Sequence, residues 1–287
     1  MKTTQAIQLT KLPEDAKCFE SKHRFLQETL LAEIKFYRDA AQREYVSFFD
    51  QVFFVLHEVD EQGAKQLPTA LWGMKAEPAC IYYIHHASQN DESDSISKLL
   101  RNSKTLELCD ENTFDSTSLK AVFAERGAWI WPKKNGRATF KRYRLLYLLA
   151  RCYNLFAEME LRQVVKAYDA QDLGQMIHHR ETVLAFDLKC FYANPVLVDR
   201  HELHQAWPLL TGLFNANEVH DEMKSQIQDL SELISAKQQT QLDSRYKRIE
   251  LLFWFFGGLV ALITLIDSET VKAFLSFILS MVITTNE

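Results

Sequence analysis

Glycine and proline are scarce: the chain holds 8 and 6 of them in 287 residues. Tight turns are therefore few, and with leucine, alanine, glutamine and glutamate common, the composition predicts a mostly helical protein. The five cysteines (Cys18, Cys80, Cys109, Cys152 and Cys190) are widely spaced with no CxxC pair. An odd, dispersed set excludes a disulfide framework and a zinc cluster by spacing. Glycine-rich phosphate loops, Walker motifs and GxSxG elbows are missing, so neither a nucleotide hydrolase nor an esterase is signalled. The expectation is a non-enzyme with no cofactor and no metal. The opening MKTTQAIQLTKLPEDAK lacks an apolar core and carries acids early, which excludes a secretory signal and a transit peptide. A net charge of -5 and a pI near 6.0 argue against a dedicated nucleic-acid binder.

What the chain does have is a tail of two apolar runs. Arg245, Lys247 and Arg248 lead into 249–266, where only Glu250 is charged, and after DSET a shorter run covers 273–283. At about 1.5 Å per residue the first run covers most of a hydrocarbon core roughly 30 Å thick. These runs predict a two-helix transmembrane hairpin over 249–285, with Asp267 and Glu269 at its wet tip. Trp254 and its neighbouring phenylalanines fit an interfacial belt, and the basic collar places the body and both termini in the cytoplasm, at an inner membrane. The lipid bilayer is then a partner of the collar Arg245, Lys247 and Arg248. Glu250 is an ordinary interfacial acid or, in a ring of copies, the mouth of a pore. A buried helical hairpin is the alternative for the whole tail.

Upstream, residues 1–20 are polar and predict a loose N-terminus, and a mixed α/β domain follows over 21–137. Within it Phe25, Leu26, Leu30, Ile34 and Tyr37 predict an amphipathic helix over 23–49. Apolar, β-branched runs predict strands at 51–59, 79–87 and 128–131, with short helices at 94–101 and 114–125. Over 138–216 the pattern changes to helices: a long one from Thr139, one over 172–190, and one over 202–214 with a kink or restart at Pro208. A stalk helix over 217–248 then continues into the tail, with Met223, Ile227, Leu230 and Ile234 as a coiled-coil-like seam. The fold class is thus α+β and mostly helical, a small mixed domain on a helical stalk and a terminal hairpin.

Two constellations could carry chemistry. His201 to His204 read HELH, near His178, His179 and Glu181, but a helical metal pair needs i and i+4 spacing, so hydrogen bonding is the reading taken. Trp131, Lys133, Lys134, Arg137, Lys141, Arg142 and Arg144 put six cations and a tryptophan at a helix start. Such a set suits a small anionic ligand such as a nucleotide, with a solvated charge run or an acidic subunit surface as the alternative.

The order of a mixed α/β body, long helices, one very long helix, a basic collar and a terminal hairpin resembles the CorA family of divalent-cation transporters. The family's Gly-Met-Asn signature does not occur, since the chain reads TLIDSET after the first apolar run. What the resemblance implies is a homo-oligomeric, membrane-anchored plan. The function expected is a channel-like or gated permeability component with a cytoplasmic sensor or assembly domain. The alternatives are an anchored scaffold that recruits a protein partner, as in a defence complex, and a nucleotide-triggered membrane effector.

Overall fold

The computed structural model describes residues 2–20, 23–59, 76–86, 113–133, 136–265, 272–274 and 276. Residues 1–20, expected to be loose, hold two strands: β1 (Lys2–Leu9) and β2 (Lys17–Phe19). The predicted helix over 23–49 shrinks to α1 (Glu28–Ala32), followed by β3 (Ile34–Arg38) and β4 (Glu44–Phe48). Beyond these lie β5 (Val52–Val59), β6 (Ala76–His86), β7 (Thr113–Asp115), β8 (Leu119–Ala124) and β9 (Gly127–Pro132). The strands read at 51–59, 79–87 and 128–131 are there, whereas the helix read over 114–125 is the β7–β8 pair. The helix read over 94–101 lies outside the described residues.

Among the described residues the strands form one 9-stranded sheet in the order β2-β3-β4-β5-β1-β6-β9-β8-β7. All neighbours are antiparallel except β6 and β9, which pair in parallel with His85 opposite Trp129. The sheet is mixed and large, which corrects the expectation of a small mixed domain. β1 runs through its middle, with Ile7 opposite Val55 on β5 and Ile81 on β6.

Long helices follow: α2 (Gly136–Asp169), α3 (Leu173–Lys189), α4 (His201–Leu213) and α5 (Ala216–Leu265). The chain falls into two units, Met1–Leu230 and Ser231–Glu287. Within the first unit α2 packs on one sheet face. Tyr147 lies 6.4 Å from both Tyr82 and Phe123, and its hydroxyl donates to the Ala124 carbonyl at 2.8 Å. On its other side Phe156 stacks on Phe186 of α3 at 4.0 Å, and Tyr153 meets Trp207 of α4 edge-on at 5.5 Å. Covered on both sides, α2 has no polar face over 145–150, where every residue is buried.

Pro208 does not restart α4; the helix runs through it. A helical proline frees the carbonyl four residues back, here that of His204. The Asn194 side-chain amide donates to that carbonyl at 3.0 Å, while its oxygen accepts the Val196 N–H at 3.1 Å. Asn194→Ala strands both groups and is expected to destabilise the first unit by about 1–3 kcal/mol, read from the urea midpoint. Asn194→Asp, which keeps only the acceptor, should lose part of this.

Asp39 closes the β3–β4 hairpin from inside. It is 3% exposed and accepts the Arg43 backbone N–H at 2.9 Å, the Arg43 Nε at 2.5 Å and the Tyr45 hydroxyl at 2.8 Å. Burial alone pushes its pKa up, but these three donors outweigh it and hold the carboxyl below its ordinary value. Its contribution is therefore complete above the ordinary carboxylate range and fades as pH falls through the native value. Asp39→Asn is expected to cost about 2 kcal/mol at neutral pH, and the gap to wild type should narrow below about pH 4, measured by denaturant titration across pH.

The expected terminal hairpin is not found among the described residues. Among the described residues no helix is long and apolar enough to cross a membrane. An 18-residue stretch ending at Leu262, the last residue of α5 whose side chain is described, takes in Arg245, Lys247, Arg248 and Glu250. The expected transmembrane hairpin, the inner-membrane location and the lipid partner resting on it are withdrawn. The second apolar run, 273–283, lies almost wholly outside the described residues. α5 itself is unbroken over 50 residues, as its lack of glycine and proline before Gly257 predicts.

Candidate functional site

A small cavity lies between the β2–β5 end of the sheet and the first half of α2. Strand register builds one wall: Phe19, Phe36 and Val46 are successive cross-strand partners, and Arg38, Glu44 and Leu56 form the parallel row two residues along. Rows two residues apart share a face. The facing wall comes from Lys141, Arg144, Leu145 and Leu148, spaced i, i+3, i+4 and i+7 on α2. His23 lies 4.9 Å from Phe36 and completes the lining of a volume of about 70 Å³.

Charge in this lining is unbalanced. Arg144 is 7% exposed, yet among the described residues its guanidinium finds hydrogen-bond and ion-pair partners only in Thr4 Oγ1 at 3.4 Å and Glu44 Oε2 at 3.7 Å, both long for such contacts. Glu44 is already held by Arg38 at 2.9 Å. Lys141 is half-buried and makes no ion pair among the described residues. Lys141 and Arg144 in the lining, with Arg38 beside it, thus share one carboxylate, and Glu58 adds a weaker negative field from the exposed end of β5. Burial destabilises the Arg144 cation, lowering its pKa although Glu44 and Glu58 oppose the shift. His23 is driven down to about 4, first by burial and then by Arg144, Lys141 and Arg142, so it is neutral at pH 7.

Of the basic and aromatic set singled out in the sequence, only Lys141 and Arg144 line this cavity. Arg137 and Arg142 are exposed on α2. Lys133 pairs with Asp115 at 2.5 Å and also donates to the Ser116 carbonyl. Trp131, opposite Lys120 and 5.9 Å from Trp129, belongs to the sheet face turned away from α2. Lys134 lies outside the described residues. His23, Arg38, Glu44 and Thr4 went unnoticed, because strand register brings the last three beside α2 and His23 lies in the irregular segment between β2 and α1.

The HELH motif ties elements together. Glu202 accepts the Ser118 N–H at 3.2 Å and the hydroxyls of Thr117 and Ser118, fixing α4 to the β7–β8 turn. His179 bonds Glu160 between α3 and α2 at 2.9 Å. Among the described residues no three His, Cys, Asp or Glu side chains come together to hold a metal ion.

In the second unit Arg245, Lys247, Arg248 and Glu250 are all exposed on α5. Beside them an apolar groove runs along Tyr246, Ile249, Phe253, Trp254, Gly257 and Gly258. Leu251, Leu252, Phe255, Phe256, Leu259, Val260 and Leu262 are exposed around the rest of the helix.

No family model matches the chain, and no curated protein or solved structure matches it.

Proposed function

We propose that the chain is a homo-oligomeric scaffold, assembled through the apolar part of α5 and carrying the sheet domain as its working body. The observation behind this reading is that α5 is apolar around its whole circumference from Leu251 to Leu262, with Phe253 and Trp254 74% and 76% exposed. A helix that is hydrophobic all round is a buried helix, and contiguous exposed apolar surface of this kind marks an interaction site.

The adjacent glycines support close approach of a second helix. Each costs about 1 kcal/mol against alanine in a helix interior. A Cβ added at Gly257 or Gly258 would meet nothing within 4 Å, so nothing described in the chain demands them. A neighbouring copy pressed against this groove would.

Sedimentation velocity over a wide concentration range tests the reading, which predicts a discrete multiple of 33.4 kDa. A monomer at every concentration would refute it. Gly257→Ala with Gly258→Ala sharpens the test. The pair should raise the intrinsic helicity of α5 yet weaken assembly about 10-fold or more, since a methyl in a close contact costs roughly 1–3 kcal/mol.

A further inference from the structure

We propose that the cavity between the β2–β5 end of the sheet and α2 binds a phosphate-type oxoanion, gripped by Arg144 and Lys141. This goes beyond the assembly reading and stands without it, since every residue involved lies in the first unit.

A buried charge is costly unless it is paired and hydrogen-bonded. Arg144 is more than nine-tenths buried, has five N–H donors, and among the described residues makes one long hydrogen bond and one long ion pair. Its planar fork matches two oxygens of a tetrahedral oxoanion, and the Lys141 ammonium supplies the second charge. Counting Arg38, which lies outside the lining but is bonded to Glu44, a dianion brings these three cations and one carboxylate to neutrality. Phe19 and Phe36 wall the site, and a lowered local dielectric strengthens each contact.

Size sets the ligand. At about 70 Å³ the cavity has room for two or three waters at roughly 30 Å³ each. Drug-sized ligands occupy pockets of roughly 300–1,000 Å³, so a nucleoside does not fit inside. The group held is a free phosphate or the terminal phosphate of a small metabolite whose remainder stays outside. This replaces the nucleotide-stacking picture, since Trp131 is on the other sheet face.

His23 would report occupancy. Arg144, Lys141 and Arg142 of α2 act on it, Glu44 of β4, bonded to Arg38 of β3, lies in the same lining, and it is neutral because of burial and the cations. An arriving dianion cancels that cationic field while burial remains, so the imidazole pKa should rise as the anion binds. Binding should therefore tighten as pH falls.

The test is isothermal titration of the full chain at low salt with sulfate, whose charge is constant over the range, then with inorganic phosphate and adenosine monophosphate. The His23 ring protons are followed by NMR in parallel. Saturable sulfate and phosphate binding, a rise in the His23 pKa, and tighter binding toward pH 5 are expected. Lys141→Gln, at a half-exposed position that leaves the core intact, should weaken binding about 10-fold or more, as loss of a charge-assisted contact does. Arg137→Gln, exposed and outside the cavity, should not. Phosphate binding tighter than the nucleotide points to the free ion, and the reverse to a phosphorylated metabolite. No response of His23 to millimolar sulfate or phosphate, or equal weakening by Lys141→Gln and Arg137→Gln, overturns the proposal.

Discussion

Glutamate at both Phe253 and Phe256 is expected to turn the assembled protein into monomers. The two rings are 74% and 60% exposed in the single chain. Placing carboxylates there therefore removes nothing from either unit's own core. In an assembly the same positions are desolvated, and aromatic anchors of this kind contribute about 2 kcal/mol or more each to an interface. Losing two, with charges left in their place, should raise the dissociation constant by roughly 1,000-fold or more. Leu188→Glu is the control. Leu188 is 83% exposed but lies on α3 of the first unit, so the same chemistry there should leave the sedimentation profile unchanged. An oligomer indifferent to the double substitution would remove the scaffold reading, whatever the fate of the anion cavity.

Phe186→Ala should produce the largest loss of stability. The ring lies 4.9 Å from Phe49, 4.0 Å from Phe156, 5.7 Å from Tyr153 and 6.2 Å from Phe191, and is 4% exposed. It thus joins the end of β4, the middle of α2 and the segment after α3 in one aromatic cluster. Removing a buried phenylalanine costs about 3–5 kcal/mol in lost transfer energy and residual cavity. For a unit of this size each kcal/mol lowers the melting temperature by roughly 2–4 °C, so calorimetry should show a fall of about 6–20 °C. Leu188→Ala, on the same helix but facing solvent, should lie within about 0.5 kcal/mol of wild type. A Phe186→Ala protein as stable as Leu188→Ala would mean that the packing between α2 and α3 is not as described.

The helical half of the molecule was legible because its elements are long and periodic. Unbroken helical stretches of 17 to 50 residues marked α2, α3 and α5 within a few residues of their ends. The sheet was harder. β5 declared itself through Val52, Phe54 and Leu56, all buried on one face. Around α1 and β3, however, Phe25, Leu26, Leu30, Ile34 and Tyr37 happen to fall at helical spacing and masked the strands. The turn after Asp39 and the β-branched and aromatic run Tyr45, Val46 and Phe48 were the signal to weigh against it. LKAVFA in β8 is too short for periodicity to decide between helix and strand.

β1 was missed for a different reason. Lys2, Thr3, Thr4 and Gln5 look like a polar tail, yet Thr4 and Gln5 are each 2% exposed in the middle of the sheet. Burial there follows from pairing on both sides, which local composition cannot express. The cavity shows the same limit. Lys141 and Arg144 were visible as cations in a row, but the distinction between them and exposed Arg137 and Arg142 comes from which side of α2 meets the sheet. Their neighbours His23, Arg38 and Glu44 lie about a hundred residues away along the chain.

The central position of β1 has a consequence for how the molecule is made. Its pairing partners, β5 and β6, begin at Val52 and Ala76, so β1 leaves the ribosome dozens of residues before either neighbour. Contacts so distant along the chain are slow to form. Until β6 arrives, the eight residues of β1 expose unmatched backbone edges to any chain nearby.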